Sequence, residues 1–192
     1  ERRVEGFFDK HLKGGKGKTV INIRGFNPVY DPDTFMKAIP SVLEKYPDTV
    51  FIMAREGERR KVYEEMAGSM GIVDSVKFIG NISADELPTY LSSADVYVST
   101  SISDSGISAS TAEAMAGGTA VVSTDVGDAS YWIEDGKNGM IVPKGDYKAL
   151  SEKILYLISN DGMRKSMGRE ARITIETRQD YYKEMAKVES LY

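Results

Sequence analysis

The sequence predicts an α/β fold: a Rossmann-like parallel sheet of about six strands with helices on both faces. Three observations predict it. From Thr19 onward, short β-branched runs alternate with amphipathic helical stretches. The runs are continuously apolar, as in strands covered on both faces, where a half-exposed strand would alternate. The loops after these runs carry glycine, asparagine or serine, as at Gly25, Gly57, Asn81, Ser101 and Gly127, in the manner of loops rather than of continuing structure.

TVINI (Thr19 to Ile23) is the first strand, and a helix is expected from Asp33 to Tyr46, where apolar residues recur at helical spacing. TVFIMA (Thr49 to Ala54) completes a βαβ unit. The next helix runs from Glu58 to Met70 and stops at Gly71, and SVKFIG (Ser75 to Gly80) is the third strand. Ser83 and Glu86 read as a capping box for a short helix that ends near Ser92 and Ser93. DVYVST (from Asp95), TAVVST (Thr119 to Thr124) and GMIVP (Gly139 to Pro143) are strands four to six. Beyond Pro143 the pattern is helical: Asp146 caps a helix to Ser159, a turn is expected at Asn160 to Gly162, and helices continue to Tyr192. Residues 1–18, dense in lysine and glycine, read as a connector from a preceding domain; 19–175 form the domain, and 176–192 a terminal helix directed toward that absent partner.

Composition narrows the function. With 192 residues, 41% hydrophobic, the chain can bury a full core. A net charge of -4 offers no basic field, which argues against nucleic acid as a partner. The absence of cysteine excludes disulfides, a thiolate nucleophile and a zinc ribbon, and is compatible with a cytoplasmic location. No apolar run approaches the ~20 residues of a spanning helix, which leaves peripheral membrane attachment of a longer protein open.

In open α/β sheets a ligand lies beyond the carboxyl ends of the strands. The loops found there carry Arg24 and Gly25; Arg55, Glu56 and Gly57; Gly80 and Asn81; Ser101 to Gly106; and Thr124 to Gly127. Gly106 lets the backbone approach a ligand, and the amides of Ile107, Ser108 and Ala109 open a helix whose positive dipole end suits phosphate or sugar hydroxyls. Glu113, among small residues, can accept two hydrogen bonds from a ribose diol, and Arg24 can grip a diphosphate bidentately. The plainer alternatives are a polar loop, an exposed helix glutamate and a surface ion pair. Convergence of five loops is a stronger argument than any of these residues alone.

Other motifs carry less. Gly17-Lys18-Thr19 mimics the end of a phosphate-binding P-loop, but the glycine required five places earlier is Leu12. His11, the single histidine, lies in the Lys/Gly stretch and offers little for catalysis or metal binding. No G-x-G-x-x-G follows the first strand, which argues against a nicotinamide-cofactor domain.

Successive blocks from Thr19 onward, FMKAIPSVLEKYPDTVFIMAREG, VKFIGNISADELPTYLSSADVYVSTS, Gly106 to Gly118, AVVSTDVGD, IEDGKNGMIVPKGDYKALSEKI and DGMRKSMGREAR, resemble in order and spacing the C-terminal, donor-binding domain of family 4 glycosyltransferases. These are retaining GT-B enzymes that use nucleotide-diphosphate sugars. The resemblance implies that Glu113 is the second glutamate of the family's E-x7-E motif and holds the donor ribose. It implies that Gly106, Ile107 and Ser108 face sugar and phosphates, and that Gly57 with Gly80, Asn81 and Ile82 walls the base pocket. Arg24 is similar to the diphosphate-contacting arginine, which the family places at Gly25. Ser105 stands where the first glutamate is usual, with Asp104 beside it; Tyr30 replaces the phosphate-binding lysine, and Tyr131 closes a departed G-G-x-P-E turn.

Retaining transfer without a metal or other cofactor is implied, with the acceptor held by an N-terminal domain outside this sequence. No catalytic residue is assigned on this domain beyond the candidates Arg24 and Asp104, and the isolated chain is expected to bind nucleotide but transfer nothing. Two alternatives stand beside this reading: a GT-B enzyme of other chemistry, such as an epimerase or phosphorylase, and a non-catalytic module that binds sugar nucleotides.

Overall fold

A computed structural model describes residues 7, 8 and 17–178. Six strands, β1 (Thr19–Asn22), β2 (Val50–Ala54), β3 (Val76–Gly80), β4 (Val96–Ser99), β5 (Ala120–Thr124) and β6 (Met140–Val142), form one sheet in the order β3-β2-β1-β4-β5-β6. All neighbours are parallel, with Ile21 paired to Ile52 on one side and to Tyr97 on the other. The expected architecture is therefore the observed one.

The helices are α1 (Pro32–Lys45), α2 (Arg60–Ser69), α3 (Leu87–Ser93), α4 (Ala109–Ala116), α5 (Ala129–Trp132), α6 (Tyr147–Ser159) and α7 (Asp161–Arg178), with a 3-10 turn at Pro28–Tyr30. Strand alternation divides the core in two. Val20, Phe51, Val96 and Val122 face one layer with Phe35 and Ile39 of α1 and Leu150 and Ile154 of α6. Ile21, Ile52, Tyr97 and Val121 face the other, with Leu91 of α3, Met115 of α4 and Ala171 of α7.

Three local expectations are corrected. The Ser83 hydroxyl accepts from the Glu86 amide at 3.3 Å and donates to its carboxylate at 2.6 Å, but it closes a turn ahead of α3 instead of capping the helix. Pro88, in the first turn of α3, fits a helix beginning at Leu87. The expected turn at Asn160 to Gly162 shrinks to Asn160: the Arg164 amide donates to the Asn160 carbonyl, so Asp161 and Gly162 already belong to α7. No break falls at 175/176 either, because α7 continues to Arg178; the expected helix beyond it lies outside the described residues, as do His11 and most of the connector. Within that connector Phe8 is buried and both Phe7 and Phe8 pack edge-on against Tyr90.

The amino edge of the sheet is tied by charge and close approach. Asp95, before β4, accepts the Thr19 amide at 2.9 Å and pairs with Arg164 of α7 at 3.0 Å, each side chain 4% exposed. Gly168 of α7 lies so close to Gly118 that a Cβ there would fall 2.0 Å from the Gly118 carbonyl oxygen. Lys18 and Arg164 both donate to Asp161, and the hydrogen bond from Lys18, then that from Arg164, holds its carboxyl down at about 2.

Replacing Arg164 with Met strips a buried carboxylate of its guanidinium and should cost about 3–5 kcal/mol, read by urea unfolding through the single tryptophan, Trp132. A loss under 1 kcal/mol would remove the pair from the structural role given to it here. Because the Asp161 carboxyl is depressed in the folded chain, its contribution is complete above about pH 4 and fades as pH falls toward 2. Asp161→Asn should accordingly flatten the acid side of the stability profile over that interval, and an unchanged slope would show that the contact contributes nothing.

Candidate functional site

Chain connections run from β1 outward to β2 and β3, and then across to β4, β5 and β6, so the strand order reverses between β1 and β4. Helices leave the carboxyl ends of these two strands toward opposite sides, which opens a crevice between their loops. The β1 loop is anchored at its start by the Arg24 amide, which donates to Asn22 Oδ1 at 2.9 Å; Asn22 Nδ2 is buried without a hydrogen-bond partner among the described residues. The loop is clamped across the crevice by the Thr100 hydroxyl on the Tyr30 carbonyl and by the Ile102 amide on the Val29 carbonyl.

Arg24 lies at the centre of this crossing. Its Nη2 donates to Asp104 Oδ1 at 2.6 Å, Nε to Ser101 Oγ at 3.2 Å and Nη1 to Ser110 Oγ at 3.4 Å, while Tyr30 stacks on the guanidinium at 4.4 Å. Ser110 Oγ is also 2.8 Å from the buried Tyr97 hydroxyl, whose pKa is pushed up by burial. Sequence reasoning assigned Arg24 and Asp104 separately to a ligand; the structure joins them to each other. The Tyr97–Ser110–Arg24 chain was missed altogether, although a tyrosine in a fully apolar strand signals a hydroxyl in search of a partner.

The loop holding Asp104, Ser105 and Gly106 rests on the β5 loop. At Gly127, with φ +56°, a Cβ would fall 2.5 Å from the Asp104 carbonyl and 2.9 Å from Gly106 N, so a side chain there would expel the loop. Ser105 is exposed and Gly106 and Ile107 are half-buried. Ser108 caps α4 by accepting the Thr111 amide at 3.2 Å, which leaves the Ala109 amide at the free end of the helix.

Three cavities linked by shared lining residues lie around the crevice, two toward β2 and β3 and one between α3 and α4. The first, about 320 Å³, is lined by Arg24, Gly25, Tyr30, Arg55 and Gly57 among others. Arg55 also lines the second, about 280 Å³, with Ile23, Ala54, Asn81, Ile82 and Leu87. Leu87 also lines the third, about 340 Å³, where Glu113 faces Ala84, Pro88 and Leu91. Gly57, Asn81 and Ile82 are thus brought together with Arg24 and Gly25, whereas Glu113, exposed on α4, lines the third cavity. Gly80, at φ +71°, is buried behind the wall; a Cβ there would meet the Glu56 carboxylate at 2.6 Å. Its carbonyl accepts the Arg55 amide, and the Glu56 amide donates to Asn81 Oδ1 at 3.2 Å, so the β2 and β3 loops are tied together. Arg55, which sequence reasoning placed in the loop after β2 without giving it a role of its own, has φ +98°, a conformation that no local signal marks in a non-glycine residue. Among the described residues no three acidic or histidine side chains gather as metal ligands, and no helix is long and apolar enough to cross a membrane.

The same fold recurs in known proteins. The C-terminal domain of a glycosyl transferase group 1 family protein (LpcC) from Francisella tularensis is 26% identical and superposes with a TM-score of 0.82 over 93% of each chain. The Anabaena protein HepE, solved with UDP-glucose, shares the fold at 20% identity and a TM-score of 0.85 over 97% of this chain and 52% of its own. In sequence, the chain is 29% identical over 150 residues to a phosphatidyl-myo-inositol mannosyltransferase of Mycobacterium leprae, which covers 78% of this chain and 39% of that protein. It is 32% identical over 144 residues to a D-inositol 3-phosphate glycosyltransferase of Corynebacterium urealyticum, covering 71% and 34%. The chain thus spans between a third and two-fifths of the curated relatives it matches first. Residues 4–174 match the family model described as glycosyl transferases group 1, and the chain belongs to that family.

Proposed function

We propose that this chain is the donor-binding domain of a retaining, family 4 glycosyltransferase. It holds a nucleotide-diphosphate sugar while an N-terminal half supplies the acceptor. The observation that carries this reading is the convergence of the β1 to β5 loops on the crevice beside the strand-order reversal, where Arg24, Asp104 and the free end of α4 meet. Relatives named as mannosyltransferases and as an inositol phosphate glycosyltransferase support hexosyl transfer.

In the proposed complex the base lies against Gly57, Asn81 and Ile82, with Gly80 buried behind them, and Glu113 accepts the ribose hydroxyls. The diphosphate and sugar lie along Arg24, Gly25 and the 104–109 loop. Departure of the nucleoside diphosphate from the anomeric carbon builds negative charge on the leaving oxygen, and fixed guanidinium groups with the amides of α4 stabilise it without a metal. No general base is assigned to this domain. Its isolated form binds but does not transfer, because one wall of the reacting geometry is supplied by the other half. Residues 1–18 are proposed as the link to that half, and the segment after Arg178 as its contact, in a cytoplasmic protein.

A second reading, a module that binds sugar nucleotides without catalysis, is favoured by one observation. The Arg24 charge is met by Asp104, and Ser105 offers no carboxylate to a sugar.

Calorimetric titration with UDP, GDP and ADP tests the proposal: one nucleotide should bind in preference, and failure of a folded sample to bind any would overturn it. Glu113→Ala should change unfolding free energy by no more than about 0.5 kcal/mol, since the side chain is exposed, yet weaken the preferred nucleotide about tenfold or more, as loss of charge-assisted hydrogen bonds requires. Equal affinity for variant and parent would remove Glu113 from the ribose. Asp104→Asn should weaken the whole sugar nucleotide while the bare diphosphate binds no less tightly, because the substitution releases Arg24. Parallel losses for both ligands would refute the assignment of Asp104 to the sugar.

A further inference from the structure

The crevice holds a cation that neither the motif pattern nor the Arg24 network accounts for. Arg55 follows β2 with φ +98°, a backbone conformation that side-chain-bearing residues rarely adopt and that glycine adopts freely. Its Nε donates to the Ile23 carbonyl at 2.9 Å, which pulls the side chain across the carboxyl end of β1. There it runs over Gly25: a Cβ built on Gly25 would lie 3.2 Å from Arg55 Cδ and 3.4 Å from its Cβ. The glycine therefore leaves room for the arginine.

Charge bookkeeping separates Arg55 from the other guanidinium groups of these cavities. Arg24 is paired with Asp104, both side chains largely withdrawn from water at 12% and 17% exposure. Arg59 lines only the first cavity. Arg55 makes no ion pair among the described residues, is exposed, and lines both the cavity of Arg24 and that of Asn81 and Ile82. With Nε spent on a backbone carbonyl, its two terminal nitrogens remain to donate as a fork, the geometry that suits phosphate oxygens.

We propose that Arg55 is the principal phosphate-binding residue of this site, taking the diphosphate of the nucleotide between the base wall and the β1 loop, while Arg24 braces the 101–110 segment through Asp104, Ser101 and Ser110. This deepens the donor-binding reading and rests on it. A cost in backbone conformation is retained at Arg55 because the left-handed conformation is what brings a β2-loop side chain over β1.

The test compares the 192-residue chain with Arg55→Gly and Arg55→Lys, titrating each with UDP and GDP and with uridine and guanosine. Glycine suits the local backbone, so the variant should keep the parent's circular dichroism spectrum and cooperative unfolding. Its affinity for the preferred diphosphate should fall at least tenfold, the salt dependence of that affinity should flatten, and nucleoside affinity should stay within about twofold. Lysine keeps the charge without the fork or the Nε anchor and should fall between glycine and parent. Diphosphate affinity unchanged in Arg55→Gly would overturn the assignment while leaving the donor-binding reading intact. Equal losses for diphosphate and nucleoside would overturn it as well, by showing that Arg55 only shapes the base wall. Absence of binding by the parent to any of the four would overturn both.

Discussion

Every strand of the sheet points the same way, and that single constraint sorts the residues of this chain into two populations. Crossovers in a parallel sheet begin at carboxyl ends and return at amino ends, so each strand delivers one loop to either edge. At the amino edge the chain has spent its polar groups on closure: Asp95 with Arg164 and the Thr19 amide, and Gly168 laid against Gly118. At the carboxyl edge the strand order reverses between β1 and β4, and the crossover helices leave toward opposite sides, so the loops are tied at a few points and leave a crevice beside them. Side chains there meet across a gap, and what they hold is an opening.

Two ion pairs express that difference. Asp95 and Arg164 are sealed at 4% exposure each, in surroundings where separating the charges would cost several kcal/mol, so the pair is permanent while the domain is folded. Arg24 and Asp104 are shorter, 2.6 Å, but three to four times more exposed and ringed by hydroxyls of Ser101 and Ser110. Water and hydroxyl dipoles lower the energy of parting them, because the effective dielectric rises with access to solvent. The second pair is therefore the looser of the two, although both of its side chains are largely withdrawn from water.

Much of this was legible in the sequence, and the remainder was hidden for physical reasons. Apolar runs such as TVFIMA mark strands because both faces of a parallel sheet are buried, and the order of strands and helices then restricts the topology to few choices. Gly57, Asn81 and Ile82 could be placed at the crevice for the same reason: they follow strands. Boundaries set by competition were not legible. Gly162 looked like a helix break but stands inside α7, where Asn160 already accepts the Arg164 amide. Arg55 could be placed in the loop after β2 but not at a positive φ, which residue type argues against, and its close approach to Gly25, thirty residues away in sequence, exists only in the folded chain. The contact between Arg24 and Asp104 was likewise invisible, being made between loops of neighbouring strands with 80 residues between them.

The sizes of the cavities complete the account of how the crevice works. Volumes of about 320, 280 and 340 Å³ each sit at the small end of the range for ligand sites, too little for a nucleotide bearing a sugar. A ligand that reaches from Asn81 to Arg24 must occupy parts of the first two, which Arg55 both divides and joins, while Leu87 joins the second to the third. These two are of opposite character. Leu87 presents an apolar side chain between the base wall and the helix that carries Glu113, a surface fit for the flat, weakly polar part of a ligand. Arg55 presents charge between the base wall and the β1 loop, where a ligand spanning the two cavities turns polar. Carboxylate, hydrocarbon and guanidinium thus succeed one another around the cavities, with the apolar wall in the middle.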